Sequence, residues 1–288
     1  MKTKKHKIVK TPGYKGFYHD MTTSISGRKN LTQWEEGKSV CLRSKTPPTP
    51  CSDKALHFCE EPSAVLNYYP PVEYGEKNKY AEVEASGTIV RMRDKTGCKA
   101  LKVKKVFESI WDFAKSFRTV FNAAISSWRD WLVVDSECPV AGELNNGRPI
   151  LLSDYYSAVK SYYPVVVHGM RSNLLESASL AMVLGGEQNM AVSSSCAVIQ
   201  SEGGYVFAEV TSPAGIAVVL VSPDSREYGP RAFVRGVGGS TFIFLRSCGS
   251  PVIVKVDGDK IKAGRYYYMN IDGTVEEYKD YNPESKGV

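Results

Sequence analysis

No uninterrupted apolar run of about 18 residues, the length a membrane-crossing helix needs, occurs in this 288-residue chain. The N-terminal stretch is basic and polar and has no apolar signal-peptide core. A protein that neither spans a membrane nor is conventionally secreted is expected, placed in a cytosol. Cysteine is present but in the wrong pattern for staples or zinc knuckles. The seven (Cys41, Cys51, Cys59, Cys98, Cys138, Cys196 and Cys248) are odd in number and scattered, with no Cys-x-x-Cys. A chain of this size does not need disulfides to hold a core, so they read as reduced thiols.

Histidine is scarcer still. His6, His19, His57 and His168 are the only imidazoles available to activate a serine or cysteine nucleophile. No Gly-x-Ser-x-Gly elbow or Walker loop frames a nucleophile or phosphate. Gly236-Val237-Gly238-Gly239 lacks dinucleotide-binding spacing and sits among strands, which makes it a turn. Asp257-Gly258-Asp259 lacks the further acidic ligands of a calcium loop and reads as a hairpin turn. His57 and Cys59, with Cys41 and Cys51, form the one His/Cys cluster, and a packing role is expected for them in place of zinc. The sequence therefore predicts no catalytic residue, no metal ligand and no cofactor.

The formal charge is +6, part of it from Lys2, Lys4, Lys5, Lys7 and Lys10 in a solvated N-terminal arm. Arg226, Arg231, Arg235 and Arg246 are interleaved with Tyr228, Phe233, Phe242 and Phe244, the pattern of outward arginines alternating with core aromatics. No direct nucleic-acid binding and no membrane contact is expected from either set.

What the chain does contain suggests an α+β organisation. After an arm over 1–13, residues 14–100 predict a small mixed module. Its strands fall at Tyr14–Tyr18, Ser39–Leu42 and Tyr80–Val90, and a short helix over 62–69 is stopped by Pro70-Pro71. Apolar residues from Val103 to Val133 recur at three- and four-residue steps, which predicts a long amphipathic helix over 101–135. Residues 136–153 are turn-rich and read as a linker. The region 154–280 offers short apolar runs separated by Gly, Ser and Ala, an all-β unit that is either an irregular β-solenoid or a sandwich. Val252–Val256 and Arg265–Met269 are expected to form a hairpin, and 281–288 a polar tail.

The helix and the tyrosine pairs carry more aromatic surface than a core of this size needs. Trp111, Phe113, Phe117, Trp128, Trp131, Tyr155, Tyr156, Tyr162 and Tyr163 are the expected interface residues, because adjacent tyrosines cannot all face one core.

Tyr14-Lys15-Gly16-Phe17, Trp34-Glu35-Glu36-Gly37-Lys38, Leu56-His57-Phe58-Cys59-Glu60-Glu61-Pro62, Tyr68-Tyr69 and Tyr80-Ala81-Glu82-Val83 together resemble the N-terminal module of a family of phage and prophage proteins. Ala55 and Leu56 stand where that family has Gly-Phe. Members continue into a Gly/Ser/Ala-rich β-solenoid and close on a segment similar to Val254–Tyr267. The layout also resembles phage proteins that inhibit the Gabija nuclease-helicase defence system by coating it and denying it DNA. That resemblance implies a bacterial defence complex as partner, self-association, a steric mechanism and a place in the host cytoplasm. Two alternatives stay open: an ADP-ribosyltransferase-like enzyme using His57, Tyr69 and Glu84, or a virion-associated structural protein.

Overall fold

The computed structural model describes residues 10–24, 31–43, 46–49, 52, 54–116, 123–125, 132–135, 141–143, 150–153, 156–168, 171–200, 204–221, 232–246 and 249–279. It falls into two compact units, residues 1–69 with 77–118 and residues 70–76 with 119–288. Among the described residues the architecture is almost entirely β, which corrects the α+β expectation.

In the first unit and its inserted segment the strands are β1 (Lys10–Phe17), β2 (Thr22–Ser24), β3 (Leu31–Gln33), β4 (Ser39–Cys41), β5 (Leu56–Phe58), β6 (Val72–Glu73), β7 (Glu76–Lys77), β8 (Lys79–Arg91) and β9 (Thr96–Val106). A 3-10 turn spans Ser63–Asn67 where a short helix is expected from the sequence. The main sheet is antiparallel in the order β1-β8-β9-β4, with β5 also paired to β9. Ala81, Val83 and Ala85 of β8 and Cys98, Leu101 and Val103 of β9 meet Phe17, Trp34, Leu56 and Phe58 in one core.

The long helix over 101–135 does not form. Residues 101–106 complete β9, where Lys102 lies opposite Glu84 and Lys105 opposite Glu82 on β8. Opposite charges across a strand pair stabilise that register. Leu101 and Val103 face the core at a two-residue step, a spacing that competes with the helical period over so short a run. Among the described residues α-helix is confined to α1 (Ile110–Ala114), whose start is fixed by Ser109: its side chain accepts a hydrogen bond from the Asp112 amide. Beyond it the chain returns to strand.

The second unit contains β10 (Ala123–Ile125), β11 (Leu132–Asp135), β12 (Ala141–Glu143), β13 (Ile150–Ser153), β14 (Ala158–Ser161), β15 (Val165–His168), β16 (Leu174–Ser177), β17 (Leu180–Leu184), β18 (Met190–Ser193), β19 (Cys196–Gln200), β20 (Val206–Val210), β21 (Ile216–Val221), β22 (Ala232–Gly236), β23 (Thr241–Arg246), β24 (Val252–Lys255), β25 (Tyr267–Met269) and β26 (Val275–Glu277). From β11 to β23 successive strands alternate between two sheets, and neighbours within each sheet are parallel. The chain thus winds as a two-sheet β-solenoid, one strand per sheet in each coil. The expected linker over 136–153 contributes β12 and β13 to it.

Both sheets enclose Val159, Leu175, Ala191, Val183, Ile199, Val219, Phe242 and their neighbours in a single core. At the corners, buried side chains satisfy the backbone at a 16-residue period. The Ser157 amide donates to Asn173 Oδ1 at 2.8 Å, and the Asn173 amide to Asn189 Oδ1 at 2.9 Å. At the far end of the same strands, Ser177 Oγ donates to the Tyr163 carbonyl at 2.8 Å and Ser193 Oγ to that of Ser179 at 3.0 Å. Buried backbone groups at a bend need such partners.

Antiparallel strands close the sheets. β10 pairs β11, β24 pairs β23, and β25 pairs both β22 and β26. The Val252–Val256 and Arg265–Met269 segments therefore lie in opposite sheets and do not form the expected hairpin. Asp257 instead turns the chain, its carboxylate accepting from the Asp259 and Ile261 amides.

Segment 70–76 packs on the second sheet within this unit. The Tyr74 amide donates to Gln188 Oε1 at 2.9 Å, and Tyr266 Oη donates to the Gly75 carbonyl at 2.8 Å. Gly75 has φ +79, and a Cβ there would lie 2.6 Å from the Phe207 ring, so only glycine fits. Arg235 stacks on the Tyr266 ring at 4.4 Å and pairs with Glu209 at 2.7 Å.

Candidate functional site

Two regions have chemistry or surface beyond what folding alone requires. The first surrounds Lys15. As Lys15 and Phe17 are two residues apart on β1, both side chains turn into the core, and Lys15 is only 7% exposed. Its Nζ donates to the His57 carbonyl at 2.9 Å. Three rings stand around it: Trp34 at 5.2 Å, Phe17 at 5.8 Å and Tyr69 at 5.9 Å from their centroids. A cation over aromatic faces recovers part of the hydration it lost. Burial still lowers the amine from 10.5 to about 8, the nearby Cys59 and Cys98 opposing that shift.

The Tyr-Lys-Gly-Phe and His-Phe-Cys signature residues converge here. Tyr14 and Cys59 exchange backbone hydrogen bonds at 2.7 and 2.8 Å, joining Tyr14–Phe17 to His57-Phe58-Cys59. Gly16 leaves room for Tyr69, whose side chain occupies the place a Cβ would take. Tyr80 Oη donates to the Tyr69 carbonyl at 3.0 Å.

His57 is lowered to about 4 by burial, then by Lys15 and Lys95. Burial pushes Cys59 and Cys98 up to about 12, so both remain thiols at neutral pH. Among the described residues no three His, Cys, Asp or Glu side chains are grouped to hold a metal. Of the residues considered for an ADP-ribosyltransferase, His57 and Tyr69 lie near Lys15. Glu84 alternates to the other face of β8 from Val83 and Ala85, and is engaged by Lys10 at 2.8 Å.

The second region is the outside of the solenoid, whose two sheets differ. The eight-stranded sheet carries an outward row of Lys160, Glu176, Val192, Glu209 and Arg235. The nine-stranded sheet carries Met182, Val198, Val218 and Ile243 in one row, closed by Ile253, which is 62% exposed. The flanking rows add Leu180, Cys196 and Ile216 on one side and Leu184, Gln200, Leu220 and Leu245 on the other. No charged residue interrupts these rows from β17 through β21. At the turn between β14 and β15, Tyr162 and Tyr163 are 69% and 40% exposed. Their backbone is pinned, for the Tyr163 amide donates to Ser161 Oγ at 3.0 Å and its carbonyl accepts from Ser177.

The sequence-predicted interface residues separate accordingly. Tyr162 and Tyr163 are surface rings as expected, and Tyr156 is half-buried with φ +59. Trp111 is half-buried on α1. Phe113 is fully buried, stacked on Tyr80 at 4.5 Å and packed against Tyr14 and Phe107, so it is a core residue of the first unit. Phe117, Trp128, Trp131 and Tyr155 lie outside the described residues. Sequence reasoning missed Lys15 and the apolar outer rows. Lys15 was detectable as a lysine in step with a core Phe on a strand. The rows were detectable as strands apolar at every position, such as Leu180–Leu184.

Residues 11–115 match the family model of a domain of unknown function, DUF7666, a span that includes the whole Lys15 cluster. No curated protein and no solved structure matches the chain.

Proposed function

We propose that the chain is a stoichiometric binding protein that acts by covering the surface of a macromolecular partner. The observation that carries this reading is the Tyr162–Tyr163 corner, two exposed rings on a backbone that buried serines hold rigid. Tyrosine supplies large contact area at low conformational cost, and fixing its backbone beforehand reduces what binding must order. The sequence resemblance supports a bacterial anti-phage defence complex of the Gabija nuclease-helicase type as the partner. Covering its DNA path would suffice to inhibit it, with no chemistry required of the bound chain.

The test is capture of the purified complex by immobilised protein, comparing wild type with Tyr162→Ala and Tyr163→Ala. Loss of a central aromatic anchor commonly costs about 2 kcal/mol or more, roughly thirtyfold in affinity. Retained binding by the folded double variant excludes this corner as the contact. The solenoid also favours a second reading, a virion-associated structural protein, for which mass spectrometry of purified particles is the discriminating observation.

A further inference from the structure

Strands β17, β19 and β21 read Leu-Ala-Met-Val-Leu, Cys-Ala-Val-Ile-Gln and Ile-Ala-Val-Val-Leu-Val. Such near-continuous apolar runs belong to strands buried on both faces, whereas a strand with one wet face alternates apolar with polar. Here the inward residues Ala181, Val183, Ala197, Ile199, Ala217 and Val219 are fully buried. Their outward neighbours Met182, Val198 and Val218 are half-buried, and Ile216, Leu245 and Ile253 are exposed. On the other sheet of the same solenoid, the outward row is built mainly from charged residues: Lys160, Glu176, Glu209 and Arg235. That sheet's apolar outward residues, Leu174, Met190, Phe207 and Phe233, are all buried, Phe207 beneath Gly75, so elsewhere this solenoid covers the apolar rows it turns outward.

We infer that the outer face of the nine-stranded sheet, centred on Met182, Val198 and Val218, packs against the same face of a second copy of this chain. From β15 to β24 the face spans five strand spacings, about 24 Å at ~4.8 Å each, by roughly 16 Å along the strands. The footprint is therefore about 400 Å², and allowing for side-chain relief two copies bury on the order of 1,000 Å². That meets the lower limit for a specific interface and suits a dissociable dimer better than an obligate one. Across β17, β19 and β21 the face is uncharged, with Lys255 only at its β24 edge, so its centre has nothing to repel its own image, which a two-fold pairing requires. By contrast, it offers no charge with which to select a polar or acidic partner. End-to-end stacking is a poor alternative. At the C-terminal end the edge strands β24 and β26 run antiparallel to their neighbours and carry Lys255, Glu276 and Glu277, and charged, short edge strands discourage edge pairing there.

The experiment is sedimentation velocity on the full chain alone, from low micromolar to about 100 µM, a range that brackets a dissociable dimer. Wild type is expected to shift from monomer to dimer. Val198→Lys and Val218→Lys should each raise the dissociation constant at least about tenfold, with circular dichroism and melting unchanged. Val198→Thr, which keeps β propensity, provides a milder substitution if lysine disturbs folding. Glu176→Lys, on the outer row of the other sheet, should leave the dimer intact. A wild-type chain that remains monomeric at the highest concentration overturns the inference. So does a dimer that the folded Val198 and Val218 variants preserve, or one that Glu176→Lys disrupts equally.

Discussion

Lys15 Nζ donates to the carbonyl oxygen of His57 at 2.9 Å, which places a cation and a neutral imidazole residue side by side against one apolar core. The arrangement couples the stability of the first unit to pH from both directions. In the unfolded chain the amine titrates at 10.5 and in the folded chain at about 8. Below pH 8 both states are charged and the folded state bears the full desolvation penalty. Between 8 and 10.5 the unfolded chain binds a proton that the folded chain lacks, so stability rises with pH through this window. At about 1.4 kcal/mol per unit, the gain is about 3 kcal/mol. Urea titrations of wild type and Lys15→Met at pH 7 to 10 should show that rise in the wild type only, with Lys15→Met at least as stable at pH 7. Parallel pH profiles for the two proteins would contradict a buried lysine whose lost hydration is only partly recovered.

His57 gives the acid-side counterpart. Its folded value of about 4 lies below the ordinary 6.5, mainly through burial. As pH falls from 6.5 towards 4, the unfolded chain takes up a proton that the folded chain refuses, and stability declines. His57→Gln should flatten the wild-type profile in that window and leave stability above pH 7 nearly unchanged. The measurement is the melting temperature at half-unit pH steps. An equally steep acid decline in His57→Gln would assign the effect to other groups.

The solenoid depends on its corner amides. Asn173 is fully buried, accepts from the Ser157 amide and donates Nδ2 to Asn189 Oδ1 at 3.2 Å. Asn173→Ala leaves a buried amide without its acceptor, which costs about 2–3 kcal/mol. For a unit of this size that lowers the melting temperature by roughly 5–10 °C. Glu176→Gln, at an outward position on the neighbouring strand, serves as the control and should change stability by no more than about 0.5 kcal/mol. Equal melting curves for the two variants would show that the amide ladder does not hold the coils together.

Much of the solenoid was legible in the sequence. Runs such as Leu180–Leu184 and Ile216–Val221 coincide with strands because β-branched and aliphatic residues are bounded by Gly and Ser. The choice between solenoid and sandwich was not legible from those runs, since either fold uses short strands. The deciding signal was the 16-residue recurrence of Asn173 and Asn189, and of Ser161, Ser177 and Ser193, which marks coils of constant length. The long helix is a misreading that Val103, Val106 and Phe107 invite, because they satisfy three- and four-residue steps while Glu82 and Glu84, the cross-strand partners of Lys105 and Lys102, are distant in sequence. Long-range pairing decided that segment, as tertiary context often overrides local propensity. The hairpin expected after Val256 failed for a related reason, for a turn signal at Asp257-Gly258 does not say which sheet receives the next strand. In the candidate sites, Tyr162 and Tyr163 were visible as a pair that one core could not absorb. Phe113 carries no such mark in the sequence, and only the folded chain shows Tyr80 and Phe107 enclosing it.

The proposal that the protein works by occupying surface in fixed stoichiometry is tested by titrating it into a purified nuclease-helicase defence complex while following DNA binding and cleavage. DNA binding should fall linearly with added protein, reach its floor at one or more copies per complex and not deepen with time. Inhibition by far fewer copies than complexes, growing with incubation, would mean turnover and contradict a steric mechanism.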